Sequence, residues 1–326
     1  NAMAYNDEQG LVDPFDGTGD LQKRVIRCVG NPIERFTEDA LRMMRAVRFS
    51  AQLGFRIEEK TKAAIEQLAP NLSHISAERI QTELVKLLKS SHPDYITEAY
   101  HLGMTRIFLP ELDAAFETAQ NNPHHCYTVG EHLMHCMLYT EPDKSMRIAA
   151  LLHDIGKPVT KTTDEQGIDH FHGHAGVGEE MAARILRRLK FDNDTITHVR
   201  KLVKYHDYPI ETTPRAVRRA INTIGETYFS DVLAIKKADM MAQSTYQRQE
   251  KEDHLAQVEA LYRQILEQNQ CVSLKSLALT GNDLIALGIP KGKEIGIVLN
   301  ELLEDVIAQP EHNNREYLIQ LVQKHA

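Results

Sequence analysis

Apolar residues recur along most of this chain at spacings of three and four, the period of amphipathic helices. The first predicted helix has Thr37 as its N-cap and continues through Phe49. The pattern predicts further helices near residues 59–68, 76–88, 95–102, 111–118, 128–139, 144–154, 175–189, 195–205, 214–224, 226–242 and 251–268, followed by a small helical module from residue 273. Only residues 23–29 have the β-branched content of a short strand. The predicted fold class is therefore mainly α, with little or no β at the N-terminus.

The composition is that of a globular protein with sizeable cores. Hydrophobic residues make up 42% of the 326 positions, but no run approaches the ~20 apolar residues of a membrane span. The N-terminal stretch lacks the pattern of a secretory signal, so the expected location is cytoplasmic, with no membrane partner. The four cysteines have no CxxC spacing and are expected to be reduced thiols.

His153 and Asp154 stand side by side at the end of an apolar helical run, just before Gly156 and Pro158. Two adjacent residues on a helix point about 100° apart, so both reach one cation only where the helix is ending. An aspartate this close to a run of apolar residues would be buried, and an unpaired buried charge costs several kcal/mol, roughly. We therefore expect a cation beside this pair.

The same part of the chain carries more such residues on separate predicted helices. His206 lies on the apolar stripe of its helix, three residues after Val203, and Asp239 continues the stripe of its own helix. Each alone is more commonly a satisfied core residue, but the set predicts a metal centre formed by most of its members, which are His132, His153, Asp154, His174, His206, Asp207 and Asp239. Imidazole and carboxylate donors without thiolate favour a divalent ion such as zinc, manganese, nickel, iron or magnesium. Such an ion can activate water for attack on phosphorus, and Lys157 would neutralise the substrate phosphate.

These residues stand in a series of short motifs: His132, His-Asp-Ile-Gly-Lys at 153–157, His-Gly-His-Ala at 172–175, Tyr-His-Asp at 205–207 and Ala-Asp at 238–239. The series resembles the HD phosphohydrolase superfamily, whose helical domains bind one or two metals and hydrolyse phosphomonoesters or phosphodiesters. The resemblance implies that Asp154 and Lys157 act in catalysis and that the metal ligands are His132, His153, Asp154, His174, His206 and Asp239. His172 and Asp207 match no ligand position of that superfamily.

Asp39 and Arg42 lie three residues apart and share one face of the first predicted helix. Their spacing alone favours a surface ion pair, although a carboxylate beside a guanidinium also offers a hydrogen-bonding edge resembling that of a base. Lysines and arginines crowd into residues 23–56, which predicts a local basic face even though the net charge of −8 disfavours general affinity for nucleic acid.

Four stretches form a second series: Asp-Pro-Phe-Asp-Gly-Thr-Gly-Asp-Leu at 13–21, Glu-Asp-x-x-Arg at 38–42, Ser-Ala-Glu-Arg-Ile-Gln-Thr-Glu-Leu at 76–84 and Leu-Thr-Gly-Asn-Asp-Leu at 279–284. The series resembles the motifs that follow the catalytic core of bacterial tRNA nucleotidyltransferases, the CCA-adding enzymes, and of related poly(A) polymerases. The resemblance implies that Asp39 and Arg42 select CTP or ATP and that tRNA or another RNA is a partner. The predicted RNA contacts are Arg45, Arg48, Lys291 and Lys293.

Nucleotidyl transfer in that family needs an N-terminal head with a Gly-rich turn and a paired Asp-x-Asp that binds magnesium, and this sequence shows no such head. Asp192-Asn-Asp194 matches the short pattern but precedes a predicted helix, so we interpret it as a helix cap. The expected division is a remnant of the head at 1–30, a helical neck that binds nucleotide and RNA at 31–120, an HD-type all-α metal domain at 121–245 and a C-terminal helical tRNA-binding module at 246–326. A separate head polypeptide is then a candidate partner.

The expected function is that of a portion of a tRNA CCA-adding nucleotidyltransferase whose HD domain hydrolyses phosphoesters of nucleotides or RNA ends with a divalent metal. Nucleotidyl transfer is expected only together with the head. An alternative is a non-catalytic RNA-positioning module with a structural or vestigial HD site. A signalling-nucleotide phosphodiesterase is a third interpretation, but it leaves the neck and tail motifs unexplained.

Overall fold

Amphipathic helices account for most of the structure, a computed structural model that describes residues 3–325. Helix makes up 65% and strand 4%, so the prediction of a mainly α fold is confirmed. Asn1 and Ala2, the first residues of the predicted head remnant, lie outside the described part. Among the described residues, no helix combines the length and the apolar character that crossing a bilayer requires.

The elements follow one another with short connections. The first half contains β1 (Ala4–Asn6), β2 (Gly10–Val12), α1 (Gly17–Lys23), β3 (Val25–Ile26), α2 (Pro32–Glu38), α3 (Leu41–Leu53), β4 (Arg56–Ile57), α4 (Glu59–Leu68), α5 (Ala77–Leu88), α6 (Ile96–His101), α7 (Thr105–Phe108), α8 (Pro110–Phe116), α9 (Val129–Leu138), α10 (Lys144–Leu152) and α11 (Lys157–Thr160). The second half contains β5 (Thr162–Thr163), β6 (Asp169–His170), α12 (His174–Arg188), α13 (Asn193–Tyr205), α14 (Pro214–Ile224), α15 (Glu226–Ala242), α16 (Arg248–Glu267), α17 (Gly281–Ala286), α18 (Lys293–Ala308) and α19 (Arg315–His325). The helices α4, α14 and α15 have the predicted bounds.

The strands within residues 3–325 form three separate pairs. β1 and β2 are antiparallel, β3 and β4 are parallel with Val25 opposite Arg56, and β5 and β6 are antiparallel. The predicted strand at 23–29 contains β3. The other strands were not predicted, because segments of two or three mostly exposed residues are too short to show a strand period.

Contacts divide the chain into two compact units. The first comprises the chain up to His206 together with Ile235–Tyr246, and the second comprises Asp207–Ala234 together with the chain from Gln247 onward. α15 therefore contributes to both. The core of the second unit contains the fully buried side chains of Leu279, Leu284, Val306, Ile307 and Leu318. The predicted four-part functional division remains a prediction.

The first predicted helix is in fact two helices, and the prediction that Thr37 is its N-cap is wrong. Asn31 caps α2, because its side-chain oxygen accepts a hydrogen bond from the Ile33 amide at 3.0 Å and Pro32 occupies the first helical position. Thr37 lies inside α2, and its hydroxyl donates to the Ile33 carbonyl at 2.7 Å. The chain then bends at Asp39 before α3 begins.

Two further helices have clear side-chain N-caps, and the second of these, Asp192, is a predicted cap that is confirmed. The Thr128 hydroxyl accepts from the Glu131 amide at 3.2 Å, and the Glu131 carboxylate accepts from the Thr128 amide at 2.9 Å, which is a capping box. The box fixes the start of α9 and so places His132 in its first turn, where it is buried. Asp192 caps α13 by accepting from the Thr195 amide at 2.7 Å.

We predict that Thr128→Ala lowers the free energy of unfolding by about 1 kcal/mol, because the first turn of α9 loses its cap. Urea denaturation followed by circular dichroism measures the change. Thr82→Ala is the matched control, since Thr82 lies exposed inside α5, where alanine is the better helix former. An equal loss of stability in both variants would contradict the assignment.

Candidate functional site

Six side chains from five helices converge in the first unit. α9 supplies His132, the end of α10 supplies His153 and Asp154, α12 begins at His174, α13 ends before His206, and α15 supplies Asp239. The structure thus brings together all six residues that the sequence predicts as metal ligands. His132, His153, Asp154 and His206 are buried, whereas His174 and Asp239 are partly exposed.

The segment between α10 and α11 approaches the start of α12 closely beside this cluster. A Cβ atom on Gly156 would overlap the His174 carbonyl oxygen and would lie 2.8 Å from the Gly178 amide nitrogen. Only glycine leaves room for the two segments to pack at this distance. This contact therefore holds His174 beside the His153-Asp154 pair.

The first group of facing atoms consists of His132, His153, Asp154 and Asp239. The Nε2 atom of His132 lies 2.9 Å from Asp239 Oδ1, 3.5 Å from Asp154 Oδ2 and 3.2 Å from His153 Nε2. His153 Nε2 lies 3.4 Å from the same Asp154 oxygen. Two imidazole nitrogens and two carboxylate oxygens thus surround one small volume.

The second group consists of Asp154, His174 and His206. The Nε2 atoms of the two histidines lie 3.3 and 3.4 Å from Asp154 Oδ1 and 3.2 Å from each other. Asp154 belongs to both groups, with Oδ2 facing the first and Oδ1 facing the second. The carboxylate therefore lies between two sets of donor atoms.

Backbone carbonyls fix the tautomers of three of these histidines. The Nδ1 atoms of His153, His174 and His206 lie 2.7 to 2.9 Å from the carbonyl oxygen three residues earlier in the chain. A carbonyl can only accept, so each Nδ1 carries the hydrogen, and each Nε2 of a neutral ring is left as an acceptor. The facing Nε2 atoms of His174 and His206 are then two acceptors at 3.2 Å. That arrangement is stable only with a cation or an added proton.

The ionised carboxylates give the cluster its electrostatic character. Burial alone would raise the pKa of Asp154, but Lys157 and His153 hold it well below its usual range. Burial likewise opposes the low pKa of Asp239, which the neighbouring His132 and His153 maintain. Burial opposes the charged form of His153 too, yet the neighbouring Asp154 raises its pKa to about 10. A buried carboxylate, Asp154, and a partly exposed one, Asp239, thus require positive charge from their surroundings.

Asp39 and Arg42, the residues predicted to select the nucleotide, lie at the start of α3 but do not pair with each other. Asp39 Oδ2 accepts a hydrogen bond from Arg79 at 2.9 Å, and Arg42 donates to Glu38 at 2.6 Å. Burial opposes ionisation of Asp39, but the Arg79 hydrogen bond lowers its pKa. The simple surface pair suggested by the spacing is therefore not formed.

Arg48, one of the predicted RNA contacts, is largely buried. It is only 9% exposed, its Nε atom lies 2.6 Å from Glu83, and its guanidinium lies 3.9 Å from the centroid of the Phe49 ring. These contacts explain its position in the fold, and its role in RNA binding stays a prediction. Arg45 is half-buried, with its guanidinium 6.0 Å from the centroid of the same ring, and it retains solvent access.

Comparison with known proteins places the chain in a family. Residues 159–322 match the model described as tRNA nucleotidyltransferase domain 2, putative, and residues 54–116 match that of a probable RNA- and SrmB-binding site of polymerase A. The chain is 33% identical over 318 residues to an A-adding tRNA nucleotidyltransferase of Deinococcus radiodurans, and the match covers 93% of this chain and 72% of the relative. The chain belongs to the tRNA nucleotidyltransferase family.

Solved structures of this family share the fold. A Bacillus stearothermophilus CCA-adding enzyme in complex with CTP matches 100% of this chain and 71% of its own, with 24% identity and a TM-score of 0.71. A Thermotoga maritima CCA-adding enzyme complexed with tRNA matches 100% of this chain and 71% of its own, with 19% identity and a TM-score of 0.55. The resemblance seen in the sequence to the CCA-adding enzymes and poly(A) polymerases is confirmed.

In this member of the tRNA nucleotidyltransferase family, three further side chains support the six-residue cluster. The sequence did not single them out. Two of them contact the buried Lys157, whose Nζ atom lies 2.7 Å from Asp154 Oδ2, 2.8 Å from Gln120 Oε1 and 3.4 Å from His125 Nε2. The third, Gln243, donates to both oxygens of Asp239, at 3.1 and 3.2 Å. For these three supporting side chains, the one indication in the sequence was the spacing of four residues between Asp239 and Gln243.

The remaining predicted RNA contacts, Lys291 and Lys293, lie in the second unit. Lys291 and Lys293 are both exposed, on either side of Gly292, and Lys293 begins α18. A lysine in the first turn opposes the helix macrodipole, so its position is not explained by helix stability. Both lysines are accessible to a phosphate.

We predict that Gly156→Ala lowers the free energy of unfolding by about 1–3 kcal/mol, because the methyl group forces α12 away from the segment that contains residue 156. Gly176→Ala is the matched control, since Gly176 lies in α12 with open space where a Cβ atom would stand, and this change should stabilise by roughly 0.5–1 kcal/mol. Thermal and urea unfolding of both variants test this. Equal stability of Gly156→Ala and the unaltered chain would show that the close approach is not required.

Proposed function

We propose that the six-residue cluster binds two divalent metal ions that share Asp154, and that the chain hydrolyses phosphoesters of nucleotides or RNA ends there. The observation that carries this proposal is the pair of facing Nε2 acceptors of His174 and His206 beside an ionised carboxylate. The two groups of donors have the residue types that zinc, manganese, nickel or iron accept, and magnesium would suit the carboxylates better than the imidazoles.

The donor atoms of the six residues fit such ions in their chemistry as well as in their number. Each of three histidines has its Nδ1–H fixed by a carbonyl, which aims the Nε2 lone pair inward and raises its basicity. Asp239 is oriented in the same way by Gln243. Divalent ions held there would lower the pKa of bound water and polarise a phosphoryl oxygen.

The chain's own residues define the side from which a substrate enters. His132 and His153 are fully buried, whereas the side chains of His174 and Asp239 are 13% and 17% exposed. A phosphoester therefore approaches over His174 and Asp239. Lys157, whose Nζ atom lies 2.7 Å from Asp154 Oδ2, would add positive charge beside the site for the substrate phosphate. Hydrolysis joins a water oxygen to phosphorus and breaks the ester P–O bond, with the departing oxygen taking up a proton.

The family relationship supports a second part of the proposal, that the chain serves nucleotide addition to tRNA. An identity of 33% over nearly the whole chain to an A-adding enzyme favours ATP as the nucleotide, and structural relatives have been solved with CTP, ATP and tRNA. Asp39 and Arg42 would read the base, and Arg45, Lys291 and Lys293 would contact RNA phosphates. Transfer itself would require the magnesium-binding head.

We predict that the purified chain binds about two equivalents of manganese or zinc and hydrolyses bis-p-nitrophenyl phosphate or a 2′,3′-cyclic nucleotide. His206→Gln should reduce the metal content to about one equivalent, because only the second group loses a donor. Asp154→Asn should abolish metal binding at both positions and lower the rate of hydrolysis at least ~100-fold. The loss for a residue that contacts a metal ligand rather than the metal is typically only ~10–100-fold. Mass spectrometry of bound metal and steady-state rates measure these changes.

His101→Ala is the control, since His101 is an exposed histidine of the same unit and belongs to neither group. It should leave metal content and rate unchanged. Absence of turnover with every metal tried would rule out the hydrolase function. Incorporation of labelled ATP or CTP into tRNA by this chain alone would rule out the need for a head.

A non-catalytic RNA-positioning module remains the second candidate, and one observation favours it. Lys157 already places a cation 2.7 Å from the shared carboxylate, which could replace a metal as the partner of Asp154. This candidate predicts tRNA binding that survives Asp154→Asn, together with no bound metal. The metal content of the unaltered chain therefore separates the two functions.

We predict that Arg42→Ala weakens ATP binding at least tenfold in calorimetric titrations of chelator-treated protein, because a hydrogen-bonding edge for the base is lost, at roughly 1.5–3 kcal/mol for a charged donor. Glu38→Gln removes the partner of Arg42 but keeps the guanidinium, so it should bind ATP within about twofold of the unaltered chain. Equal weakening in both variants would contradict a direct role for Arg42.

A further inference from the structure

A cavity of about 310 Å³ lies in the first unit at the C-terminal end of α3. Asp39 and Arg42 lie at the opposite end of that 13-residue helix, roughly 20 Å away at about 1.5 Å per residue. The volume is at the lower end of the ~300–1,000 Å³ range of small-molecule sites. The cavity is therefore distinct from the residues assigned to nucleotide selection, and it shares no residue with the metal cluster.

Positive charge dominates the lining of this cavity. Lys23, Arg24, Arg56 and Lys62 all line it, against the single carboxylate of Glu98. Glu98 is already engaged, because it lies 2.9 Å from the Lys62 ammonium. Lys23 also has a partner, since its ammonium lies 4.0 Å from Asp16, so Arg24 and Arg56 are the lining cations without an ion-pair partner among the described residues. In a chain with a net charge of −8, this pair of guanidinium groups creates a local positive field that attracts anions.

Arg24 and Arg56 are held together by the backbone rather than by counter-ions. The Arg56 amide donates to the Arg24 carbonyl at 3.1 Å, beside the parallel pairing of β3 with β4. Within residues 3–325, neither guanidinium has an ion-pair partner. Arg27, three residues after Arg24, differs in this respect, since it pairs with Asp20 at 3.0 Å and with Glu58 at 3.5 Å.

The backbone at Arg24 is also in an unfavourable conformation. Its φ of 55° and ψ of 53° lie in the left-handed region, which costs a non-glycine residue roughly 1–2 kcal/mol. Its amide hydrogen bonds to the carbonyls of Asp20 and Leu21 hold it there. Arg24 is the C-cap of α1, a position at which the left-handed conformation is common, so this conformation is explained by the end of the helix.

Aromatic and apolar side chains also line the cavity. They are Phe55, Ile57 and Tyr95, and the Tyr95 ring stacks on His92 with centroids 5.0 Å apart. An anion with a flat or apolar portion would contact both the cationic and the apolar side chains. A nucleotide has this combination, with phosphate for the guanidinium groups and a base or ribose for the rings.

We propose that this cavity binds the phosphate of a nucleotide between Arg24 and Arg56, with its base or ribose against Phe55 and Tyr95. The nucleotide is either free or the terminal residue of an RNA strand, since both present the same group. The site operates whether or not the metal cluster is catalytic, because it shares no residue with it.

The chain has no tryptophan, so Tyr95→Trp places a single fluorescent reporter in the cavity. Chelator-treated protein is titrated with inorganic pyrophosphate, AMP and a 5′-phosphorylated pentaribonucleotide. We expect a saturable change in fluorescence that is at least tenfold weaker in affinity when Arg24→Gln and Arg56→Gln are added. The control pair Lys60→Gln and Lys89→Gln removes two exposed positive charges elsewhere in the unit and should stay within twofold.

Calorimetry with the same ligands on the tryptophan-free protein, with and without the two arginine changes, makes the comparison independent of the reporter. A lower saturating concentration of AMP than of the oligonucleotide assigns the site to free nucleotide, and the reverse order assigns it to an RNA end. Either result supports the proposal. No binding of any probe by either method, or an equal loss in the arginine and lysine pairs, would overturn it.

Discussion

The buried carboxylate of Asp154 is the constraint on which the rest of the first unit depends. An ionised group at 1% exposure is tolerated only when positive charge surrounds it, and the helices that pack here all deliver donors or cations to it. His132 and His153 face one oxygen, His174 and His206 face the other, and Lys157 adds an ammonium. The helices that pack around Asp154 therefore also supply the side chains of the site.

The arginines in the N-terminal part likewise differ in whether they have a partner of opposite charge. Arg48 is satisfied by Glu83 inside the core and Arg27 by two surface carboxylates, so both are explained by the fold. Arg24 and Arg56 have no ion-pair partner among residues 3–325, and the cavity that they line together with aromatic side chains is the reason to expect a ligand there. The difference between structural and functional cations thus depends on their partners rather than on their number.

Much of the site followed from sequence because its residues interrupt apolar stripes, as Asp239 does on α15, or stand in recognisable motifs. What the sequence could not provide depends on contacts between distant segments. The approach of Gly156 to α12 requires the three-dimensional path of both segments, and the burial of Arg48 depends on Glu83, thirty-five residues away. The short strands were missed because two or three residues carry no period, and Thr37 was misplaced because Asn31 and Pro32 start the helix earlier.

Sharing of Asp154 between two metal positions is the central claim. Crystals of the chain soaked in manganese, with diffraction recorded above and below the manganese absorption edge, would test it most directly. Two anomalous peaks are expected, one among His132, His153 and Asp239 and one beside His174 and His206, with the Asp154 carboxylate between them. A single peak, or none with Lys157 still bonded to Asp154, would contradict it.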